Sequence, residues 1–255
     1  MSDYPGFLVT RHEATCQVTI DRPEARNALT SAMRRDFGLL FTDLDADDDV
    51  TAVVLTGSDP TFTAGVDLKE RLAGGAPLPK VRPNPGEVLR SFSKPVICAV
   101  NGPCVTGGLE IALSCTFVVA SERAMFKDTH ARLGLMPGWG LSALLPRAVG
   151  SRLAADMTIT GRVIDAAEAL RIGLVNTLVA HEELVPTALD RASAIASADG
   201  AAVRGALALY RRGDGATLEE ALSYESEAAD AWRTDSARSL ERMSDITGKG
   251  RTDKA

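Results

Sequence analysis

Two stretches of the chain share a physical design able to bind a negatively charged oxygen. The first, Thr61–Glu70 (TFTAGVDLKE), follows an apolar run, carries Gly65 and turns into helix-like sequence. The second, Asn101–Ser114 (NGPCVTGGLEIALS), also follows an apolar run and places Gly107 and Gly108 where a helix should begin. A strand–glycine–helix junction exposes backbone N–H groups that lack an intrahelical partner, and the helix dipole favours negative charge at that end. Two such junctions facing one another would hold one oxyanion, an enolate or a tetrahedral intermediate, from both sides. Removing one donor from such a hole costs roughly 3–4 kcal/mol of transition-state binding. Glu110, three residues past Gly107, returns about one helical turn later to the same end of the helix. A carboxylate there is a candidate general base or acid. The glycines would equally serve packing or a turn, and Glu110 would equally complement the helix N-terminus. Residue by residue, both readings stand. Neither stretch is a phosphate loop or a dinucleotide-binding loop, because the Walker Lys-Ser/Thr and the Rossmann spacing are missing.

The elements that must position these groups follow from periodicity. Phe7–Arg11 and Cys16–Ile20 alternate as two strands around a turn at His12–Ala14. After the polar loop DRPEARNALT, a helix is expected from Ser31 to Asp45, with Met33, Phe37, Leu40, Phe41 and Leu44 on one face. Val53–Thr56 and Val96–Val100 read as buried strands, Leu72–Gly86 as a Gly/Pro-rich surface loop or lid, Gly107–Ser114 as a helix and Phe117–Ala120 as a strand. Past Gly140 the pattern becomes helix after helix, with one strand near Val175–Val179 and two amphipathic helices in Thr217–Ile246. Strands alternating with helices predict an α/β class with mainly parallel pairing. The expected organisation is a catalytic core over 1–195 and a helical region over 196–255.

The bulk properties exclude several classes. The chain has 255 residues, 45% of them hydrophobic, and a net charge of −6. No basic stripe interleaved with aromatics suggests nucleic-acid binding. No apolar run approaches the roughly 20 residues a membrane span needs, and MSDYPGFLVTRHE does not read as a signal peptide. Cys16, Cys98, Cys104 and Cys115 form no C-x-x-C pair, so reduced thiols in a cytoplasmic protein are expected. TDLDADDDV lacks the glycine and the final glutamate of a calcium loop. Trp139 in PGWG would wall a pocket or simply pack.

The segments DRPEARNALT, VLTGSDPTFTAGVDLKE, KPVICAVNGPCVTGGLEIALSCTFVVASERAMF, LGLMPGWGLSALLPRAVG and TGRVIDAAEALRIGLVNTLV occur in that order. Together they closely resemble the enoyl-CoA hydratase/isomerase (crotonase) superfamily, over nearly the whole chain. The resemblance implies a crotonase-like (ClpP/crotonase) spiral of β-β-α units with a C-terminal helical region serving oligomerisation and pocket closure. It maps the two oxyanion N–H groups onto Val66 and Gly107. It places the Ala64 carbonyl against the adenine amino group, Asp67, Leu68 and Lys69 along the coenzyme A passage, and Ala25 and Arg26 in the loop that touches coenzyme A. Arg26 or Lys69 would neutralise phosphate. Of the two glutamates that hydratases of this family use, the first maps onto Glu110. The second does not survive: FKDTHARLGLMPG puts His130 at its position and Thr129 where a proline is common. A histidine can serve as acid or base near neutral pH, so His130 is a candidate partner of Glu110. No ligand cluster accompanies it, and no metal is expected.

The implied activity is hydration of a 2-enoyl-CoA to a 3-hydroxyacyl-CoA, with no cofactor beyond the coenzyme A carried by the substrate. Isomerisation, thioester hydrolysis or decarboxylation would use the same enolate-binding device, and loss of catalysis through the change at His130 would leave an acyl-CoA-binding protein. The family habit implies a homotrimer or a dimer of trimers.

Overall fold

The computed structural model describes residues 4–73, 80–233, 239 and 242–243. β1 (Phe7–His12) and β2 (Thr15–Ile20) form an antiparallel hairpin. α1 (Ser31–Ala46) begins where the Thr30 hydroxyl accepts the Met33 N–H, and it buries Met33, Phe37, Leu40, Phe41 and Leu44. There follow β3 (Ala52–Gly57), α2 (Leu68–Ala73), α3 (Pro85–Ser91), β4 (Val96–Val100), β5 (Pro103–Val105), α4 (Gly107–Ser114), β6 (Phe117–Ser121) and β7 (Met125–Lys127). Then come α5 (Leu141–Val149), α6 (Ser151–Thr160), β8 (Val163–Asp165), α7 (Ala166–Arg171), β9 (Thr177–Val179), α8 (Leu184–Ala196), α9 (Gly200–Gly213) and α10 (Leu218–Ala231).

The main sheet has the order β1-β2-β3-β4-β6-β9 and is parallel after the first pair. Its central strands β3 and β4 are buried along their whole length because both faces are covered. Val53, Leu55, Cys98 and Val100 join the core containing residues of α1, α3 and α4. Ala52, Val54, Ile97 and Ala99 lie against Leu184, Ala188 and Ala192 of α8. The strand period of two divides one sequence run between two cores.

A second sheet, β5-β7-β8, was not expected from the sequence. β5 runs parallel to β7, and β8 antiparallel to it. It ties Val105, just before the Gly107 helix, to Lys127, just before His130. The expected loop at Leu72–Gly86 is also shorter than composition suggested. Residues 74–79 lie outside the described residues, but Asn84 starts α3 with a reciprocal cap: its side chain accepts the Glu87 N–H, and Glu87 accepts the Asn84 N–H. Asn-Pro-Gly-Glu is a helix start, with proline at the first helical position.

The chain divides into two compact units, Met1–Arg204 and Gly205–Ala255. The first contains both sheets. In the second, α10 starts with a Thr217–Glu220 capping box, and Arg212 lies 3.7 Å from the Tyr224 ring centre. Most of the further helix expected up to Ile246 falls outside the described residues. Among the described residues no helix is long and apolar enough to cross a membrane.

Candidate active site

The first junction is a loop fastened by side chains. Buried Asn27, itself at φ 55°, donates from Nδ2 to the Ser58 carbonyl at 2.7 Å and the Thr61 carbonyl at 2.6 Å. The Thr63 hydroxyl donates back to the Asn27 carbonyl at 2.6 Å and accepts the Gly65 N–H at 3.0 Å. Gly65 adopts φ +83°, which a side chain would disfavour. Val66 then bridges Leu29 in parallel: the Leu29 N–H reaches the Gly65 carbonyl at 2.7 Å, and the Asp67 N–H reaches the Leu29 carbonyl at 3.0 Å. In that register the N–H of Val66 points away from Leu29, and no described residue accepts it.

The second junction is a helix end set by a strained residue. Thr106 has φ 53° and ψ −104°, a sparsely populated conformation for a β-branched residue. Three contacts hold it there: its N–H donates to the Lys127 carbonyl at 2.8 Å, its hydroxyl accepts the Thr129 N–H at 3.2 Å, and the two threonine hydroxyls share a short hydrogen bond. Gly107 follows as the first residue of α4, so its N–H has no intrahelical partner. The junctions touch: a Cβ on Gly65 would lie 2.7 Å from the Gly107 nitrogen.

Glu110 is buried one turn along α4. Its Oε1 accepts three backbone N–H groups, from Gly138 at 3.2 Å, Trp139 at 2.7 Å and Leu141 at 3.3 Å. Those bonds turn Oε2 toward His130, whose Nε2 lies 3.8 Å away. Arg90 of α3 stands behind this arrangement, donating to the Trp139 carbonyl at 2.6 Å and the Ser114 hydroxyl at 3.0 Å. Burial pushes the Arg90 guanidinium below its usual range, against the attraction of Glu110. His130 is held on its other side. Its Nδ1 lies 2.7 Å from Asp128 Oδ1, and the same oxygen accepts the His130 backbone N–H at 3.0 Å. Burial raises the Asp128 carboxyl, but the bonds and charge of His130 outweigh this and hold it below the usual carboxylate range.

These groups share one cavity of about 360 Å³, lined by Ala64, Val66, Gly107, Glu110 and His130 together with the apolar side chains of Leu68, Leu133, Leu135, Met136 and Trp139. The Trp139 ring lies against Gly107, where a Cβ would meet Cζ3 at 2.9 Å. Trp139 thus both packs and walls the pocket. Of the residues mapped to the coenzyme A passage, Ala64 and Leu68 line the cavity, and no described residue donates to the Ala64 carbonyl. Asp67 is turned aside: it pairs with Arg22 and caps α2 by accepting the Lys69 and Glu70 N–H groups. Arg26 and Lys69 are exposed and Ala25 half-buried; the Arg26 carbonyl accepts the Ala64 N–H at 3.0 Å. Among the described residues, no cluster of His, Cys, Asp or Glu is arranged to hold a metal ion.

Sequence reasoning missed Asp128, Arg90 and the Thr106–Thr129 pair. Asp128 alone had a local signal, lying two residues before His130 in DTH. Arg90 and Thr106 meet their partners only through the tertiary fold.

Residues 10–243 match the family model described as enoyl-CoA hydratase/isomerase. A Rhizobium meliloti (strain 1021) protein named as a probable enoyl-CoA hydratase is 39% identical over 234 residues, 87% of each chain. The crystal structure of an enoyl-CoA hydratase from Mycobacterium tuberculosis H37Rv is 45% identical, with a TM-score of 0.76 over 88% of this chain and 98% of that one. One from Bacillus anthracis is 30% identical, with a TM-score of 0.87 over 94% and 96%. The fold is therefore the crotonase-like one that the ordered motifs implied.

Proposed function

Because the chain belongs to the enoyl-CoA hydratase/isomerase family, we propose that it adds water across the double bond of a 2-enoyl-CoA thioester, giving a 3-hydroxyacyl-CoA. The observation that carries this reading is the meeting, in one apolar-walled cavity, of two N–H groups with no acceptor among the described residues and a carboxylate whose second oxygen faces the cavity. The Val66 and Gly107 N–H groups receive the thioester oxygen and stabilise the negative charge it gains as the nucleophile adds. Glu110 Oε2 takes a proton from water. The 3.8 Å between Oε2 and His130 Nε2 is too long for a direct hydrogen bond. It suits one water oxygen about 2.8 Å from each.

Coenzyme A enters as part of the substrate. The Ala64 carbonyl receives its adenine amino group, and exposed Arg26 and Lys69 supply positive charge for its phosphates. The reading includes a cytoplasmic location, supported by four free thiols. It also includes a homotrimer or dimer of trimers, supported by exposed Tyr210, Leu218 and Leu222 on the C-terminal unit.

The test is incubation with crotonyl-CoA, following loss of the conjugated enoyl absorbance. Wild type should turn over, and Glu110→Gln should lower kcat on the order of 10²–10⁴-fold, the usual contribution of a general base. Full activity in Glu110→Gln would remove Glu110 as the base. Retained binding without turnover would make the chain a binding protein. Migration of the double bond in a 3-enoyl-CoA, without hydration, would make it an isomerase.

A further inference from the structure

His130 stands where the sequence pattern leads one to expect a carboxylic acid, and an imidazole differs from a carboxyl in one respect that matters for proton traffic. Its two nitrogens are distinct, and the hydrogen bond made by one decides what the other can do. Here the two sides of the ring meet different groups. Nδ1 lies 2.7 Å from Asp128 Oδ1, while Nε2 faces Glu110 Oε2 across 3.8 Å. The Asp128 side chain is fully buried, and its Oδ1 is fixed independently by the His130 backbone N–H at 3.0 Å. That carboxylate is an acceptor only, so Nδ1 must carry a proton.

We propose that Asp128 is the positioning residue of this site: it locks His130 with Nδ1 protonated, so that Nε2 is the position that gives up and regains a proton opposite Glu110. The proposal rests on the hydratase reading for its chemistry, though not for its geometry. In that chemistry the active couple is Glu110 carboxylate with His130 imidazolium. As water attacks the β-carbon, one of its O–H bonds breaks and that proton passes to Glu110 Oε2, while the oxygen forms the new C–O bond. The carbon–carbon π pair moves toward the α-carbon and the thioester oxygen held by Val66 and Gly107. The Nε2–H bond then breaks and its proton goes to the α-carbon. The proton on Glu110 finally moves to His130 Nε2, which restores the couple. One water is consumed, both its hydrogens are accounted for, and no oxidant or further reactant is needed.

The carboxylates within 4 Å of the ring nitrogens, among the described residues, are Asp128 from its own loop and Glu110 from α4. Arg90 of α3 lies behind Glu110. On α6, which packs against the turn at Ala131–Leu133, the acidic Asp156 is paired with Arg162. The ring nitrogens of His130 thus face two carboxylates.

The decisive measurement is ¹⁵N NMR of histidine-labelled protein across pH, with the His130 signals identified from a His130→Gln sample. In wild type, the neutral ring should carry its proton on Nδ1. In Asp128→Ala the neutral ring should shift to the Nε2–H tautomer, and kcat should fall on the order of 10–100-fold with KM changed less than about threefold. Asp128→Asn keeps the shape and a carbonyl acceptor, which guards against a variant that fails to fold. It should keep the tautomer and lose less kcat than Asp128→Ala. A wild-type ring carrying its neutral proton on Nε2 would overturn the proposal. So would an Asp128→Ala enzyme with the wild-type tautomer and the wild-type kcat. Absence of crotonyl-CoA hydration by wild type would strike the hydratase reading alone, because the tautomer measurement needs no turnover.

Discussion

The two junctions that present N–H groups to the cavity reach the same end by different means. At the first, the backbone relaxes into a conformation suited to glycine, Gly65 at φ +83°, and side chains of two loops hold it: Asn27 and Thr63 make five hydrogen bonds among Arg22, Ser58, Thr61, Asn27 and Gly65 backbone groups. At the second, a threonine rather than a glycine takes the unfavourable conformation, and the force that keeps it there comes from the end of β7 and the residues just after it, through Lys127 and Thr129. A backbone N–H can be aimed by removing a steric barrier or by outweighing one. Both routes place demands on residues far away in sequence: Asn27 lies more than 30 positions before the carbonyls it holds, and Thr129 lies 23 positions after Thr106.

The sharpest way to break the pair is Gly65→Ala. It forces a side chain into φ +83° and puts a Cβ 2.7 Å from the Gly107 nitrogen, so it damages both junctions at once. We expect kcat/KM for crotonyl-CoA to fall on the order of 10²–10³-fold or more; near-wild-type kinetics would show that these N–H groups do not bind the oxyanion. Next is Asn27→Ala, which strips the first junction of its fastening and leaves the Ser58 and Thr61 carbonyls without this donor. It should cost about 2–4 kcal/mol in denaturant unfolding, from buried polar groups left unpaired. The second junction is addressed more gently by Thr129→Val, which removes the hydroxyl but keeps the N–H to Thr106. Stability should fall by about 1 kcal/mol, and a larger loss of kcat than of stability would identify Thr106 as a strained element serving the site. Proline at 129 would remove the N–H as well, so Thr129→Pro should be the more damaging of the two.

The smallest effect is one of pH. Asp67 beside the first junction and Asp128 beside the second are both pushed up by burial and held below their ordinary range by stronger partners, Arg22 and the α2 N–H groups for one, His130 for the other. A carboxyl depressed in the folded state contributes stability above its unfolded value, near 3.9. That contribution is lost as pH falls through the lower folded value. Unfolding free energy should therefore drop as pH falls below about 4. Asp67→Asn should flatten that slope, measured by urea titration at a series of pH values.

Much of the scaffold was legible because its signals are local. The α1 face of Met33, Phe37, Leu40, Phe41 and Leu44 and the buried runs of β3 and β4 need only their own periodicity. Gly107 and Glu110 could be placed because a helix start and a one-turn spacing are sequence features. The small sheet was hidden because its strands are three residues each, too short for any period. The start of α3 was readable, through Asn84, Pro85 and Glu87, yet the surrounding glycines and prolines masked it. The partners of Glu110 were beyond reach: three main-chain N–H groups 28 to 31 residues away leave no mark in residue identity.

That last contact has a consequence for how such a site can diverge. The group that orients the base is the main chain of Gly138, Trp139 and Leu141, so the code for it is a backbone shape and not a set of side chains. The side chains of the same segment do a separate job. Leu135, Met136 and Trp139 line the cavity, and a Cβ added at Gly138 would meet nothing within 4 Å. The segment can therefore drift in size and polarity, reshaping the space offered to the acyl chain, while the chemistry it supports is inherited unchanged.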